Sequence, residues 1–158
     1  MLTKEDLIQD IFNNPEKYRN LEGIDLENTD LELVNLQNVN LRDANLEDSD
    51  LENADLSGAD LTDANLIRVW LKYANLSGAC LRDARLTDAN LSHANLSRAD
   101  LTDANLESAD LSHAHLFNAN LRHVNLTDAN LEDADLRKAD LSFAELSSCQ
   151  YCSDRLKR

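Results

Sequence analysis

Residues 94–106 read ANLSRADLTDANL, and this stretch shows the unit from which most of the chain is built. Each leucine follows Asn or Asp, which follows alanine, and two variable residues complete the unit. Leucine occupies every fifth position from Leu21 to Leu146 without a gap, which makes 26 leucines in phase. From Ile24 to Ala144 the residue two positions before each leucine is small or β-branched. Any fold must accommodate this period of five.

A period of five fits neither common element. On an α-helix, five residues turn through about 140°, so the leucines would be scattered around its surface. On a flat strand five is odd, and successive leucines would face opposite sides. The remaining solution is a chain that turns a corner once per repeat. Each short extended piece then points Ala and Leu inward and the Asn or Asp between them outward.

The second residue after each leucine supports a corner at that position. It is Gly, Asn or Asp in 15 of the 26 repeats, and these residues tolerate the backbone angles of β-turns. One coil of this kind cannot bury its own leucines. We therefore expect the coils to stack, with backbone hydrogen bonds between coils about 4.8 Å apart.

The repeat Ala-(Asp/Asn)-Leu-X-X, as in Ala64-Asn65-Leu66, Ala94-Asn95-Leu96 and Ala109-Asp110-Leu111, resembles that of the pentapeptide-repeat family. The resemblance covers residues 21–148. It implies an all-β solenoid, a right-handed quadrilateral β-helix of just over six 20-residue coils. It also brings a precedent for function, because the best understood family members resemble duplex DNA in shape and charge and bind DNA gyrase. This chain differs from them in having no insertion loop within the repeats and no long C-terminal helix.

The two ends depart from the repeat and define three segments. Residues 1–20 are expected to form an N-terminal capping helix and linker, 21–148 the β-helix, and 149–158 a C-terminal cap and tail. A helix over residues 3–12 is predicted from Thr3 as N-cap and from the apolar stripe of Leu7, Ile8, Ile11 and Phe12. We expect this helix to cover the open first coil. A docking helix for another protein is the alternative.

Cys149 and Cys152 have the C-x-x-C spacing near the C-terminus. No helix is predicted to activate a thiolate there, and no second pair of ligands completes a zinc site. Two readings stay open, namely two free thiols and a local disulfide that clips the last coil.

Charge limits the choice of partner. The chain has 30 acidic and 15 basic residues, a net charge of −15, which argues against direct binding to nucleic acid. A basic protein partner and a surface that imitates nucleic acid both remain compatible with it. The N-terminus lacks the layout of a signal peptide, and no apolar run could span a bilayer. We therefore expect a cytoplasmic monomer that binds no membrane.

Two candidate surfaces follow from stacking residues 20 positions apart. One is an acidic column of Asp43, Asp63, Asp83 and Asp103, which could be a solvated turn column or a phosphate-like stripe. The other is the contact patch, in which Trp70 replaces the usual Asn or Asp and should point outward. Exposed aromatic and Arg side chains are typical of binding hot spots, although drift at exposed positions is the alternative. The contact patch comprises Ile67, Arg68, Trp70, Lys72 and Tyr73.

No catalytic motif is recognisable. The chain offers no Ser/His/Asp set and no glycine-rich phosphate loop, and a leucine-filled interior leaves no pocket for a small ligand. No catalytic residue, metal site or cofactor is expected. The leading hypothesis is a non-enzymatic, rigid, acidic interaction scaffold for an unknown protein partner. The alternative is a DNA-mimicking binder of DNA gyrase or another topoisomerase.

Overall fold

The computed structural model describes residues 4–152. The chain opens with one α-helix, α1 (Lys4–Asn13), followed by a 3-10 helix over Pro15–Lys17. From Asn20 onward, single bridged residues recur at every fifth position, and a two-residue turn separates each from the next. The extended pieces are thus too short to count as strands, as the predicted corner in every repeat requires.

Every bridge is parallel and joins a residue to the one 20 positions later, from Asn20 with Asn40 to Asn130 with Gln150. The backbone bonds alternate in direction. The Leu96 N–H donates to the His115 carbonyl at 2.7 Å, and the Asn95 N–H donates to the Ala74 carbonyl at 2.9 Å. Residues related by 20 positions therefore stack, and such a set is called a column below.

The turns lie where the sequence pattern predicts them. The second residue after each leucine has a φ between +52° and +67° from Gly23 to Ser148. This left-handed region favours Gly, Asn and Asp. Leu33, Arg68 and Tyr73 adopt it as well. The stacked neighbours therefore impose the turn even where the residue type disfavours it.

The leucines form the core. Those from Leu21 to Leu131 are at most 6% exposed, and alanines or other small residues fill the space between them. Two buried hydroxyl groups at the alanine position are satisfied by the backbone, since Thr29 Oγ1 donates to the Leu26 carbonyl and Ser49 Oγ to the Leu46 carbonyl. The last leucines, Leu136, Leu141 and Leu146, are only partly buried.

Helix α1 packs against this core through part of its predicted stripe. Ile11 is fully buried and Leu7 and Ile8 are partly buried, whereas Phe12 is 37% exposed. The helix continues through Asn13, one residue beyond the prediction, and the Asn14 N–H donates to the Asp10 carbonyl. The predicted N-cap Thr3 lies outside the described residues.

Asp10 ties α1 to the segment that follows it. Its carboxylate accepts hydrogen bonds from Lys17 Nζ, Tyr18 OH and Asn14 Nδ2. The bonds from Lys17 and Tyr18 lower the pKa of Asp10 from 3.8 to about 2. The side chain that fixes the helix against the linker is thus an ionised carboxylate.

At the other end the repeat decays. Tyr151 stands at a leucine position in the sequence, yet its ring is 46% exposed and its φ is +63°. Cys152 is buried instead. Residues 153–158 of the predicted tail lie outside the described residues. Within the part of the chain that the structure describes, no helix is long and apolar enough to cross a membrane.

Candidate functional site: the Trp70 surface

The contact patch lies on the outside of the β-helix. Trp70 is 53% exposed and Tyr73 is 51% exposed, because each occupies an outward position of its repeat. Ile67 is partly exposed. Lys72 Nζ lies 5.1 Å from the centre of the Tyr73 ring, a cation–π distance. Arg68 and Trp70 line a common depression of about 380 Å³.

Tyr73 begins a column of stacked rings. Its ring lies 4.9 Å from that of His93, and His93 lies 4.7 Å from His113, with interplanar angles of 26° and 9°. These three residues are 20 positions apart, so the stack repeats the spacing of the backbone. The side chains are held flat by their neighbours, which extends the aromatic surface beyond the predicted patch.

Arg68 is fixed by two acids of the preceding level. Its Nε and Nη2 atoms each donate to Asp48 at 2.7 Å, and Nη2 also donates to Glu47 at 2.5 Å. These bonds raise the pKa of Arg68 and lower that of Asp48. The pKa of Glu47 is lowered first by a hydrogen bond from Asn65 and then by Arg68. Arg68 is therefore committed within the molecule.

The outward Asn residues form a ladder that was not predicted from the sequence. Where two amides stack, Nδ2 of one donates to Oδ1 of the residue 20 positions earlier, as from Asn65 to Asn45 at 2.9 Å. The Oδ1 atom commonly also accepts the backbone N–H two residues later, as Asn95 does from Ser97. The preference for Asn and Asp before leucine was the available signal. The ladder is interrupted at four positions, namely Trp70, Cys80, Arg85 and His115.

The acidic column is only partly neutralised. Arg42 contacts Asp60 at 3.6 Å and Asp63 at 3.7 Å, whereas Arg82 pairs with Asp100 at 3.9 Å rather than with the column itself. No ion pair holds Asp43, Asp83 or Asp103 among residues 4–152. All four aspartates lie at turn positions with positive φ.

Negative charge also surrounds Trp70. The column of Trp70 contains three carboxylates, and the neighbouring column of Lys72 contains three carboxylates and a single ammonium group. The six acids are Asp30, Asp50, Asp110, Glu32, Glu52 and Glu132. The surface around Trp70 is thus electronegative along most of the solenoid.

An open cleft of about 680 Å³ lies between α1 and the first level. Lys4, Ile8 and Phe12 line one side, and residues 27–30 with Glu32 line the other. It was not predicted, because the leucine pattern describes the interior and not the seam between helix and solenoid. The cleft brings together no set of catalytic groups.

The cysteines occupy separate places. The Cys149 and Cys152 Cα atoms are 5.7 Å apart, a separation that a disulfide spans. Cys80 is partly exposed, and its Sγ lies 3.2 Å from Thr62 Oγ1. Among the described residues, no three His, Cys, Asp or Glu side chains converge as metal ligands.

Comparison with known proteins places the chain. The family model described as "Pentapeptide repeats" matches with eight copies, over residues 20–53, 40–78, 49–88, 79–116 and 114–149. A search of curated proteins found no match.

Three solved structures illustrate the likeness. Trypsin-treated QnrB1, a plasmid-mediated fluoroquinolone resistance protein, is 22% identical with a TM-score of 0.73, covering 84% of this chain and 70% of that one. HetL, involved in heterocyst differentiation regulation in Nostoc sp. strain PCC 7120, is 28% identical with a TM-score of 0.31 and 95% coverage of both chains. Rfr23 from the cyanobacterium Cyanothece 51142 is 27% identical with a TM-score of 0.40, covering 91% and 98%.

The family model spans most of the chain, and the superposition on QnrB1 supports the same fold. The parallel bridges at intervals of 20 residues and the buried leucine at every fifth position agree with both. The chain therefore belongs to the pentapeptide-repeat family and folds as a β-helix with a short N-terminal α-helix.

Proposed function

We propose that this chain is a non-enzymatic, rigid, acidic interaction scaffold, and that its contact patch binds a basic region of a protein partner. The observation that carries the proposal is the exposure of Trp70 and Tyr73 on neighbouring columns of one surface. Large aromatic side chains dominate the binding energy of protein interfaces. Here they stand where the repeat normally places a small amide.

The rigidity of the surface supports this role. Arg68 is held by Asp48 and Glu47, and the Tyr73 ring lies between Lys72 and His93. Side chains that are already ordered lose little conformational entropy when a partner binds. The surrounding acids favour a partner of positive charge and speed its encounter.

The architecture in this proposal is a right-handed quadrilateral β-helix of just over six coils. It comprises residues 21–148, with residues 1–20 as cap and linker and 149–158 as C-terminal cap and tail. A disulfide between Cys149 and Cys152 belongs to the proposal, supported by their Cα separation. Counting reactive thiols in the unfolded, non-reduced protein tests it. We expect one reactive thiol, that of Cys80, and three would refute the bond.

Affinity capture from native lysate tests the scaffold role. Immobilised wild-type protein should retain proteins that Trp70→Ala and Tyr73→Ala variants lose. Phe143→Ala is the matched control, because Phe143 is an exposed aromatic residue at 73% on a different column. If both patch variants capture the same proteins as the wild type, the contact patch is wrong.

The second candidate is a DNA-mimicking binder of gyrase or another topoisomerase. The acidic column favours it, since stacked carboxylates present negative charge at regular intervals along the solenoid. A gyrase supercoiling assay with and without a gyrase-directed drug separates the two candidates. A change in supercoiling or in drug sensitivity supports the DNA mimic, and no effect at micromolar protein removes it.

A further inference from the structure

The depression beside Trp70 has a local cause in the sequence. It is lined by Asp48, Arg68, Val69, Trp70, Asp88 and Asn90. In an unbroken column the side chain at position 70 would be an amide, accepting from Asn90 Nδ2 and donating to Asp50. The indole of Trp70 can do neither with its ring faces. The ladder therefore opens at this level, and the depression lies beside the break.

Two polar groups of the depression are left without partners. The Asn90 Oδ1 atom accepts from Ser92, but its Nδ2 atom donates to nothing within residues 4–152. The Asp88 carboxylate likewise has no hydrogen bond or ion pair within this part of the chain. It follows Arg68 in the same column, but the guanidinium turns to the preceding level and bonds Asp48 and Glu47.

The charge of the depression is negative although it contains Arg68. Asp48 and Glu47 together carry two negative charges against the one positive charge of Arg68. Asp88 adds a third carboxylate, and the neighbouring columns contribute six more against Lys72. A cation entering the depression thus meets no unneutralised positive group at close range.

We propose that this depression is a receptor for a single arginine side chain on a basic segment of a protein partner. The guanidinium plane stacks on the exposed indole of Trp70 and donates hydrogen bonds to the Asp88 carboxylate. Asn90 Nδ2 donates to a carbonyl oxygen of the partner's backbone. This inference deepens the proposed scaffold function and rests on its contact patch.

Arginine fits these groups better than lysine does. Its planar guanidinium stacks on aromatic faces and forms paired hydrogen bonds to a carboxylate, whereas an ammonium group acts as a compact point charge. Tryptophan is the most favourable aromatic partner for a cation. The depression offers both a flat face and a free carboxylate, which is the combination that a guanidinium uses.

Trp70 also provides the measurement, because it is the only tryptophan in the chain. The protein, labelled with ¹⁵N, is titrated with the blocked tripeptide acetyl-Gly-Arg-Gly-amide while the Trp70 indole N–H and the Asn90 side-chain amide signals are followed. We expect both signals to shift and to saturate. The matching lysine peptide should bind several-fold more weakly, and the neutral citrulline peptide should cause no saturating shift.

The variants separate the site from general attraction to an acidic protein. Asp88→Asn keeps a residue that tolerates positive φ and should weaken binding of the arginine peptide about tenfold. Asp128→Asn removes the same charge from the same column two levels away and should leave binding unchanged. Trp70→Asn should abolish binding while the far-UV circular dichroism of the fold persists.

Equal weakening by Asp88→Asn and Asp128→Asn would overturn the proposal, as would a citrulline peptide that binds as well as the arginine peptide. Its failure can be told apart from that of the scaffold. If Trp70-dependent capture persists without binding of the arginine peptide, the patch stands and the ligand class is wrong. If the peptide binds but Trp70→Ala captures the same proteins, the receptor stands and the scaffold proposal fails.

Discussion

Replacing Arg85 by asparagine should stabilise the protein, because Arg85 interrupts an amide ladder. Its column runs from Asp25 through Asn45 and Asn65 and resumes at Asn105 with Asn125. The Oδ1 atom of Asn65 is buried and has no hydrogen-bond partner. Arg85 is exposed and makes no ion pair within residues 4–152. Nothing that the structure describes is lost with its side chain.

The magnitude follows from the bonds that Arg85→Asn restores. The introduced amide would donate to Asn65 Oδ1, accept from Asn105 Nδ2 and accept from the Thr87 N–H, as other ladder residues do from the residue two positions later. Each intramolecular hydrogen bond contributes about 0.5–1.5 kcal/mol net, and a buried unsatisfied acceptor costs about 1–3 kcal/mol. Partial exposure reduces the sum. We expect the free energy of unfolding to rise by about 1–3 kcal/mol, and Tm by about 3–8 °C for a chain of this length.

Thermal and urea unfolding followed by circular dichroism measure this change. Two controls isolate the cause. Arg85→Gln removes the charge without an amide at the ladder position, and it should change Tm little. Arg85→Asp accepts from Asn105 and Thr87 but sets a carboxylate against Asn65 Oδ1, so it should be less stable than Arg85→Asn. If Arg85→Asp equals or exceeds Arg85→Asn, or if Arg85→Gln matches it, the ladder argument is refuted.

Three further predictions concern the core, the cap and the turns. Leu96→Glu buries a carboxylate at a position that is 0% exposed, and loss of the folded circular dichroism spectrum is expected, whereas Arg98→Glu on the surface should fold; a folded Leu96→Glu protein would contradict the core assignment. The folded state lowers the pKa of Asp10, so its stabilisation is complete above about pH 4 and is lost as the pH falls through about 2. Asp10→Asn should flatten that part of an acid titration of helix content, and an unchanged curve would argue against it. Asp128→Val should destabilise by about 1–3 kcal/mol because φ is +58° there, while Asp128→Gly should change stability by less than about 0.5 kcal/mol; equal Tm values would show that the turn is not under this constraint.

Much of the β-helix could be predicted because one short repeat governs backbone and core together. A leucine at every fifth position requires regular corners, and the same rule places Trp70 and Tyr73 outside. The turn angles of Arg68 and Tyr73 show that position in the repeat outweighs the preference of the residue. The shared column of Tyr73, His93 and His113 followed from the 20-residue interval that the family implies.

The rest depended on contacts that a period cannot describe. The repeat gives no information on which acid Arg68 selects, and only the structure shows it turning to Asp48 and away from Asp88. The exposure of Phe12 reflects the angle at which α1 meets the first level, which the helical stripe leaves undetermined. Tyr151 lies outside because the chain no longer follows the repeat beyond Gln150.

The bridge interval of 20 residues also sets rules for changes in chain length. Deleting five residues would keep every later leucine in phase with the interior, yet each later side chain would move to a neighbouring column. A deletion before His93 would thus separate it from Tyr73 without exposing a leucine. Deleting 20 residues would shorten the solenoid and preserve both relationships. Lineages that alter length in steps of five can therefore reshuffle the outer surface, while those that use steps of 20 inherit it intact.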